Sequence, residues 1–186
     1  MGEFEWEPCG SLGGSPQVET IQENVMAIFA KFGDVKGASS DTSHKDWSLC
    51  QSICAPISRS IPAGARDQQR ARGETTLGDM VIVRELDKAS VKLAEACATG
   101  TFFAEVDIDL TSTIKGKSEP YLKYKLKNVI ITSYSFHGTN SGDPIPSEEV
   151  TLGYTDIEWT YVVVNPQTGS VDGNVPAKYS LGQHKA

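Results

Sequence analysis

No apolar run in this chain approaches the roughly 20 residues that a bilayer-spanning helix requires. The opening stretch also lacks the basic start and apolar middle of a secretory signal. Synthesis in the cytosol is the expectation, with no membrane insertion. Basic residues are outnumbered, 17 against 24 acidic ones, and a formal net charge of -7 argues against a duplex nucleic-acid binder, which would concentrate Lys and Arg against phosphates. The four cysteines, Cys9, Cys50, Cys54 and Cys97, are even in number, but without an export signal they are expected as reduced thiols and not as a disulfide framework. Only three histidines are present, and no G-x-S-x-G or H-E-x-x-H pattern brings one to a nucleophile or a metal. Catalytic residues, cofactors and metals therefore have no candidate constellation.

At 186 residues, with 39% hydrophobic and 22% charged residues, the chain can bury one sizeable core. One domain with a tail is expected. Residues 1–25 hold Gly10, Gly13, Gly14 and Pro16 with scattered apolar residues, which reads as a disordered extension. Residues 22–26 can also be encoded with a ribosome-binding-like stretch just ahead of an initiator codon, so Met26 is a candidate start. The domain is expected over 26–186.

Alternation begins at Met26, with Ile28, Ala30 and Phe32 sharing a strand face that stops at Gly33. Trp47, Leu49, Gln51 and Ile53 predict a second strand. Residues 80–86 predict a third, followed by a helix capped by Asp87 or Ser90, with Ala89, Leu93, Ala96 and Cys97 on its apolar face and Gly100 ending it. Long alternating strands over 102–111 and 121–136, joined near Gly116, predict a hairpin. A last long strand over 149–164 changes parity midway, which predicts a β-bulge near Thr155 and Asp156, and 177–181 predicts a short edge strand. The expected fold is an antiparallel β-barrel or sandwich with one flanking α-helix.

Glu105, Asp107 and Asp109 share one strand face, as a carboxylate metal site or acid pair would need. The next strand offers a simpler reading, because a hairpin about Gly116 sets Lys127, Lys125 and Lys123 opposite them as a charge ladder. Cys50 and Cys54 are spaced C-x3-C, but structural zinc needs four N or S ligands and no second pair lies near. Both thiols are expected to pack on the same side of their strand. The segment 56–73 contains two prolines, two glycines and the arginines Arg59, Arg66, Arg70 and Arg72, with no sustained period. It is expected to be a long exposed loop. No aromatic residues interleave with these arginines as nucleic-acid stacking would demand, so contact with another subunit is the favoured role.

Taken in order, Gly33-Asp34-Val35-Lys36-Gly37, then Arg84-Glu85-Leu86-Asp87-Lys88-Ala89-Ser90 running into Leu93 and Ala96-Cys97, resemble the Hcp family of bacterial type VI secretion. Val129-Ile130-Ile131-Thr132-Ser133-Tyr134-Ser135, Glu149-Val150-Thr151-Leu152 and Ile157-Glu158-Trp159-Thr160-Tyr161 continue the likeness. It runs from about Met26 to the C-terminus. Ala38 stands where the family often has an acid, and Val91 where it often has Pro. The resemblance implies a small β-barrel with one helix that forms six-membered rings. Such rings stack into a tube that a sheath expels with its spike, and the subunit leaves the cell without a signal peptide, at times with effectors in its lumen. An effector carrier acting as single rings is the alternative it implies. The arginine-bearing loop, between two early strands, would touch neighbouring subunits.

Overall fold

The computed structural model describes residues 26–61, 63–64, 66, 73–114, 117–138, 145–165, 168 and 170–183. The expectations for residues 1–25, and for Arg70, Arg72 and Gly116, lie outside these described residues.

Among the described residues the strands run β1 (Met26–Phe32), β2 (Ser48–Cys54), β3 (Ile57–Arg59), β4 (Thr75–Leu77), β5 (Met80–Glu85), β6 (Phe102–Ile114), β7 (Lys117–His137), β8 (Ser147–Gly153), β9 (Asp156–Val164) and β10 (Val171–Ser180), with helix α1 (Ser90–Thr99) between β5 and β6. Hydrogen bonding follows the order β7-β6-β1-β2-β5-β8 and returns from β8 to β7, which closes a six-stranded antiparallel barrel. Closure removes the open edges that a six-stranded sheet would otherwise present. β9 and β10 extend beyond the barrel as a wing, because the first half of β7 pairs with β9 while its second half pairs with β8.

Phe32, Met80, Ile82, Leu93, Ile108, Leu126, Leu152 and Ile157 are fully buried in one core. α1 packs on β7 and contributes Leu93 and Ala96 to that core. Its N-cap position is Ala89, with no side-chain cap, so the expected cap by Asp87 or Ser90 is corrected. Asp87 Oδ1 instead accepts from the Ala89 N–H at 2.7 Å, and Ser90 Oγ accepts from the Asp87 N–H at 2.9 Å. Gly100 ends the helix as expected, at φ 67°, a conformation in which glycine avoids a Cβ clash.

Four other expectations change. In β2 the inward residues are Ser48 and Cys50, while Leu49 is exposed; an irregularity between Cys50 and Ser52 then shifts the parity. Cys50 is therefore buried and Cys54 exposed, so the two thiols do not pack together. The segment expected as an irregular loop over 56–73 begins with β3, which pairs with β4 just beyond it, Ile57 opposite Leu77 and Arg59 opposite Thr75. The parity change near Thr155 is no bulge. Lys127 stands opposite Asp156 and Ile130 opposite Gly153, so neither strand carries an extra residue there. Both strands change face together, Leu126 and Val129 being buried on one, Tyr154 and Ile157 on the other. Asn128 makes the turn at φ 51°, and its Nδ2 donates to Thr155 Oγ1 at 2.9 Å. The edge strand is β10, longer than the stretch expected.

Candidate functional site: the arm and the charged sheet face

The β3–β4 ribbon forms an arm paired only with itself in the sheet topology, and its β3 residues Ile57, Ser58 and Arg59 are all exposed. Its geometry follows from local chemistry. A Cβ on Gly73 would lie 2.1 Å from the Ser60 carbonyl oxygen, and the Ser60 N–H donates to the Glu74 carbonyl at 2.8 Å. Glycine there lets the returning strand approach. Arg59 lies on β3 and Arg66 in the connection beyond it, both exposed. A guanidinium on such a projection presents a planar, multidonor head to a partner's carboxylates or carbonyls.

On the barrel wall, the expected pairing of β6 with β7 holds: Glu105 faces Lys127, Asp107 faces Lys125 and Asp109 faces Lys123. The register extends it. Lys31, Asp107, Lys125, Glu158 and Lys178 stand directly opposite one another across β1, β6, β7, β9 and β10. Charge therefore alternates along a row five strands wide. Lys125 Nζ lies 2.7 Å from Glu105 Oε1 and 3.5 Å from Asp107 Oδ1, and Lys127 reaches Glu158 at 2.8 Å. Hydrogen bonding to Glu105 raises the Lys125 pKa, while burial raises that of Asp107 against the opposing pull of Lys125. These pairs satisfy one another, so the face is a structural surface with no acid held apart for proton transfer.

Asp109 departs from the ladder. Its Oδ2 lies 3.0 Å from His44 Nε2, while Asp41 Oδ1 lies 3.2 Å from His44 Nδ1. The imidazole is 3% exposed, stacked on Phe29 at 4.4 Å and edge-on to Trp47 at 4.9 Å. This clamp was missed in the sequence. The D-x-x-H spacing of Asp41 and His44 was its one local sign, since Asp41 Oδ1 also accepts the His44 N–H at 2.9 Å, a turn habit of aspartate.

A second unforeseen cluster fills the barrel interior. Arg84 on β5 and Glu148 on β8 are direct cross-strand partners, both fully buried, with Nε and Oε1 2.5 Å apart. Arg84 also bonds Asp87 and, at 3.0 Å, Ser90 Oγ, while the Tyr134 hydroxyl donates to Glu148 at 2.6 Å. Burial, then the Glu148 contact, pushes the Tyr134 pKa up to about 12. The arrangement ties β5, β7, β8 and the start of α1 together. Among the described residues no group of three or more His, Cys, Asp or Glu residues could hold a metal ion, and no helix is long and apolar enough to cross a membrane.

The barrel and its helix are shared with known proteins. Residues 29–161 match the family model described as type VI secretion system effector, Hcp. Protein hcp1 of Pseudomonas aeruginosa is 28% identical over 160 residues, covering 82% of this chain and 91% of that protein. A solved structure of a type six secretion system protein superimposes with a TM-score of 0.80 at 25% identity, covering 87% of this chain and 99% of the other. Hcp1 from Salmonella typhimurium has the same fold, with a TM-score of 0.67 at 23% identity over 85% of this chain and 96% of its own.

Proposed function

Because the chain belongs to the Hcp family of type VI secretion proteins, whose members are structural, secreted tube proteins and not enzymes, we propose that six copies close into a ring and that rings stack into a tube. A repeated head-to-tail contact must either close or propagate, and a tube does both, closing within a ring and propagating between rings. The protein is made in the cytosol and secreted, with sheath, spike and effector proteins as its partners and effectors carried in the lumen.

The observation that carries this reading is the β3–β4 arm. A ribbon that buries nothing at its own β3 face contributes little to the barrel, and its arginines have the chemistry to grip an acidic neighbour. Pro56 and Pro62 limit the entropy lost when such an arm orders on a partner. Native mass spectrometry and electron microscopy test the proposal. Purified protein is expected as hexamers and as stacks, and replacing Arg66, Arg70 and Arg72 together by alanine weakens stacking with unchanged circular dichroism. A dominant monomer at micromolar concentration would refute the ring. Rings that never stack, even with the arm intact, would favour the single-ring carrier.

A further inference from the structure

Between the charged sheet face and the end of the β1–β2 connection lies a recess of about 320 Å3, bordered by Trp47, Asp107, Lys123, Glu158 and Thr160 among others. That is the lower end of the range for small-molecule sites, roughly 300–1,000 Å3, and suits a ligand of one ring. Its electrostatics follow from the ladder. Lys125 is committed to Glu105 and Asp107, and Lys127 to Glu158. Lys123 is the exception, because its register partner Asp109 is held by His44 at 3.0 Å. Among the described residues the exposed Lys123 ammonium has no carboxylate partner, so it is the cation left over once the clamp has taken its acid. Thr160 stands directly opposite it on β9, which sets a hydroxyl on the same face of the sheet. Glu158, two residues back along β9, bonds Lys127 through one oxygen and keeps acceptor capacity on its carboxylate. Trp47 is half-buried and supplies an apolar wall.

We propose that this recess binds a small sugar acid, a single pyranose ring bearing one carboxylate. The carboxylate sits on Lys123 and Thr160, the ring hydroxyls donate to Asp107 and Glu158, and the C–H face of the ring lies against Trp47. The inference does not depend on ring assembly. Three features of the recess select this class of ligand. An unpaired ammonium with a hydroxyl on the same face calls for one anionic group, since a charge-assisted hydrogen bond is about twice as strong as a neutral one. The carboxylates of Asp107, Asp109 and Glu158 repel further negative charge, which excludes phosphate-rich ligands and nucleic acid. Those same carboxylates accept hydrogen bonds that a polyhydroxylated ring can donate and a simple aliphatic acid cannot. An indole beside such groups adds the mixed apolar and polar surface that a small-molecule site needs to fix orientation.

The test is saturation-transfer NMR on the full-length protein, with glucuronate as the probe and glucose, acetate and inorganic phosphate as comparisons. Glucuronate at millimolar concentration is expected to receive saturation on its ring protons and to bind at least about tenfold more tightly than glucose, which lacks the charge, or acetate, which lacks the ring. Lys123→Gln, at an exposed position, is expected to keep the parent's circular dichroism and to lose glucuronate at least about tenfold, without change in the weaker binding of glucose. Lys92→Ala on α1 removes an exposed cation elsewhere and is expected to bind as the parent does. Trp47→Ala is expected to weaken glucuronate and glucose alike. Trp47 packs edge-on to His44, so if that variant fails to fold the Lys123 variant still decides. No saturation transfer to glucuronate would overturn the proposal. So would equal binding by the parent and a folded Lys123→Gln, or displacement of glucuronate by acetate or phosphate at equal concentration.

Discussion

His44 Nε2 lies 3.0 Å from Asp109 Oδ2, so an acid that stands opposite Lys123 in the β6–β7 register is held instead by the connection between β1 and β2. The contact pins residues 33–47 over the barrel wall, where the Gly37 N–H donates to the Asp46 carbonyl at 2.7 Å and the Ala38 N–H to Asp87 Oδ2 at 3.0 Å. Removing a partner from a buried polar contact exposes the other to the full cost of its burial, about 1–3 kcal/mol. Asp109→Ala is expected to destabilise by that amount in urea denaturation. Lys123→Ala, at an exposed position, is expected to stay within about 0.5 kcal/mol of the parent.

The Arg84–Glu148 pair is buried on both sides. Breaking such a pair leaves one charge uncompensated and costs about 3–5 kcal/mol, whereas replacing both partners by apolar residues of like volume is often neutral or stabilising. Arg84→Met alone is expected to lower the denaturation midpoint sharply, and Arg84→Met with Glu148→Leu to recover most of the loss. Equal losses in the single and double variants would show that the pair is not the source.

Hydrogen bonding to Lys127 holds the Glu158 carboxyl below its ordinary pKa. A folded-state value below the unfolded one stabilises the protein above the unfolded pKa of about 4.3, and that contribution is lost as pH falls through the folded value. The advantage of the parent over Glu158→Gln is therefore expected at pH 7 and to vanish on acidification. Asp107, raised mainly by burial, acts in the opposite sense, so Asp107→Asn is expected to gain on the parent as pH rises from acid to neutral. Denaturant titrations at pH 7 and pH 3.5 check both signs.

Burial pushes the Cys50 thiol up to about 12, while Cys54 is exposed. Since the thiolate is the nucleophile, iodoacetamide at pH 8 is expected to label Cys54 in the native protein and Cys50 only after unfolding. Peptide mass mapping distinguishes the two.

What the sequence determined by itself was local and periodic. Period-two alternation placed β1, β6 and β7, the glycine at 100 ended the helix, and the matched triplets Glu105, Asp107, Asp109 and Lys123, Lys125, Lys127 fixed a hairpin register that the structure reproduces residue for residue. A hairpin's partners are close in the chain, so its pairing is legible there. Arg59 and Arg66 are exposed, as a run without period and rich in Pro and Gly predicts. Tertiary structure decided the rest. The Arg84–Glu148 seam and the His44–Asp109 clamp join residues 64 and 65 positions apart, and no local pattern encodes such a meeting. The shared change of face at Asn128 and Thr155 read as a bulge in one strand, since a single strand cannot reveal that its neighbour turns with it. Leu49 points outward for the same kind of reason: it stands opposite Phe29 of β1, and a strand's inward face is chosen by the sheet it joins.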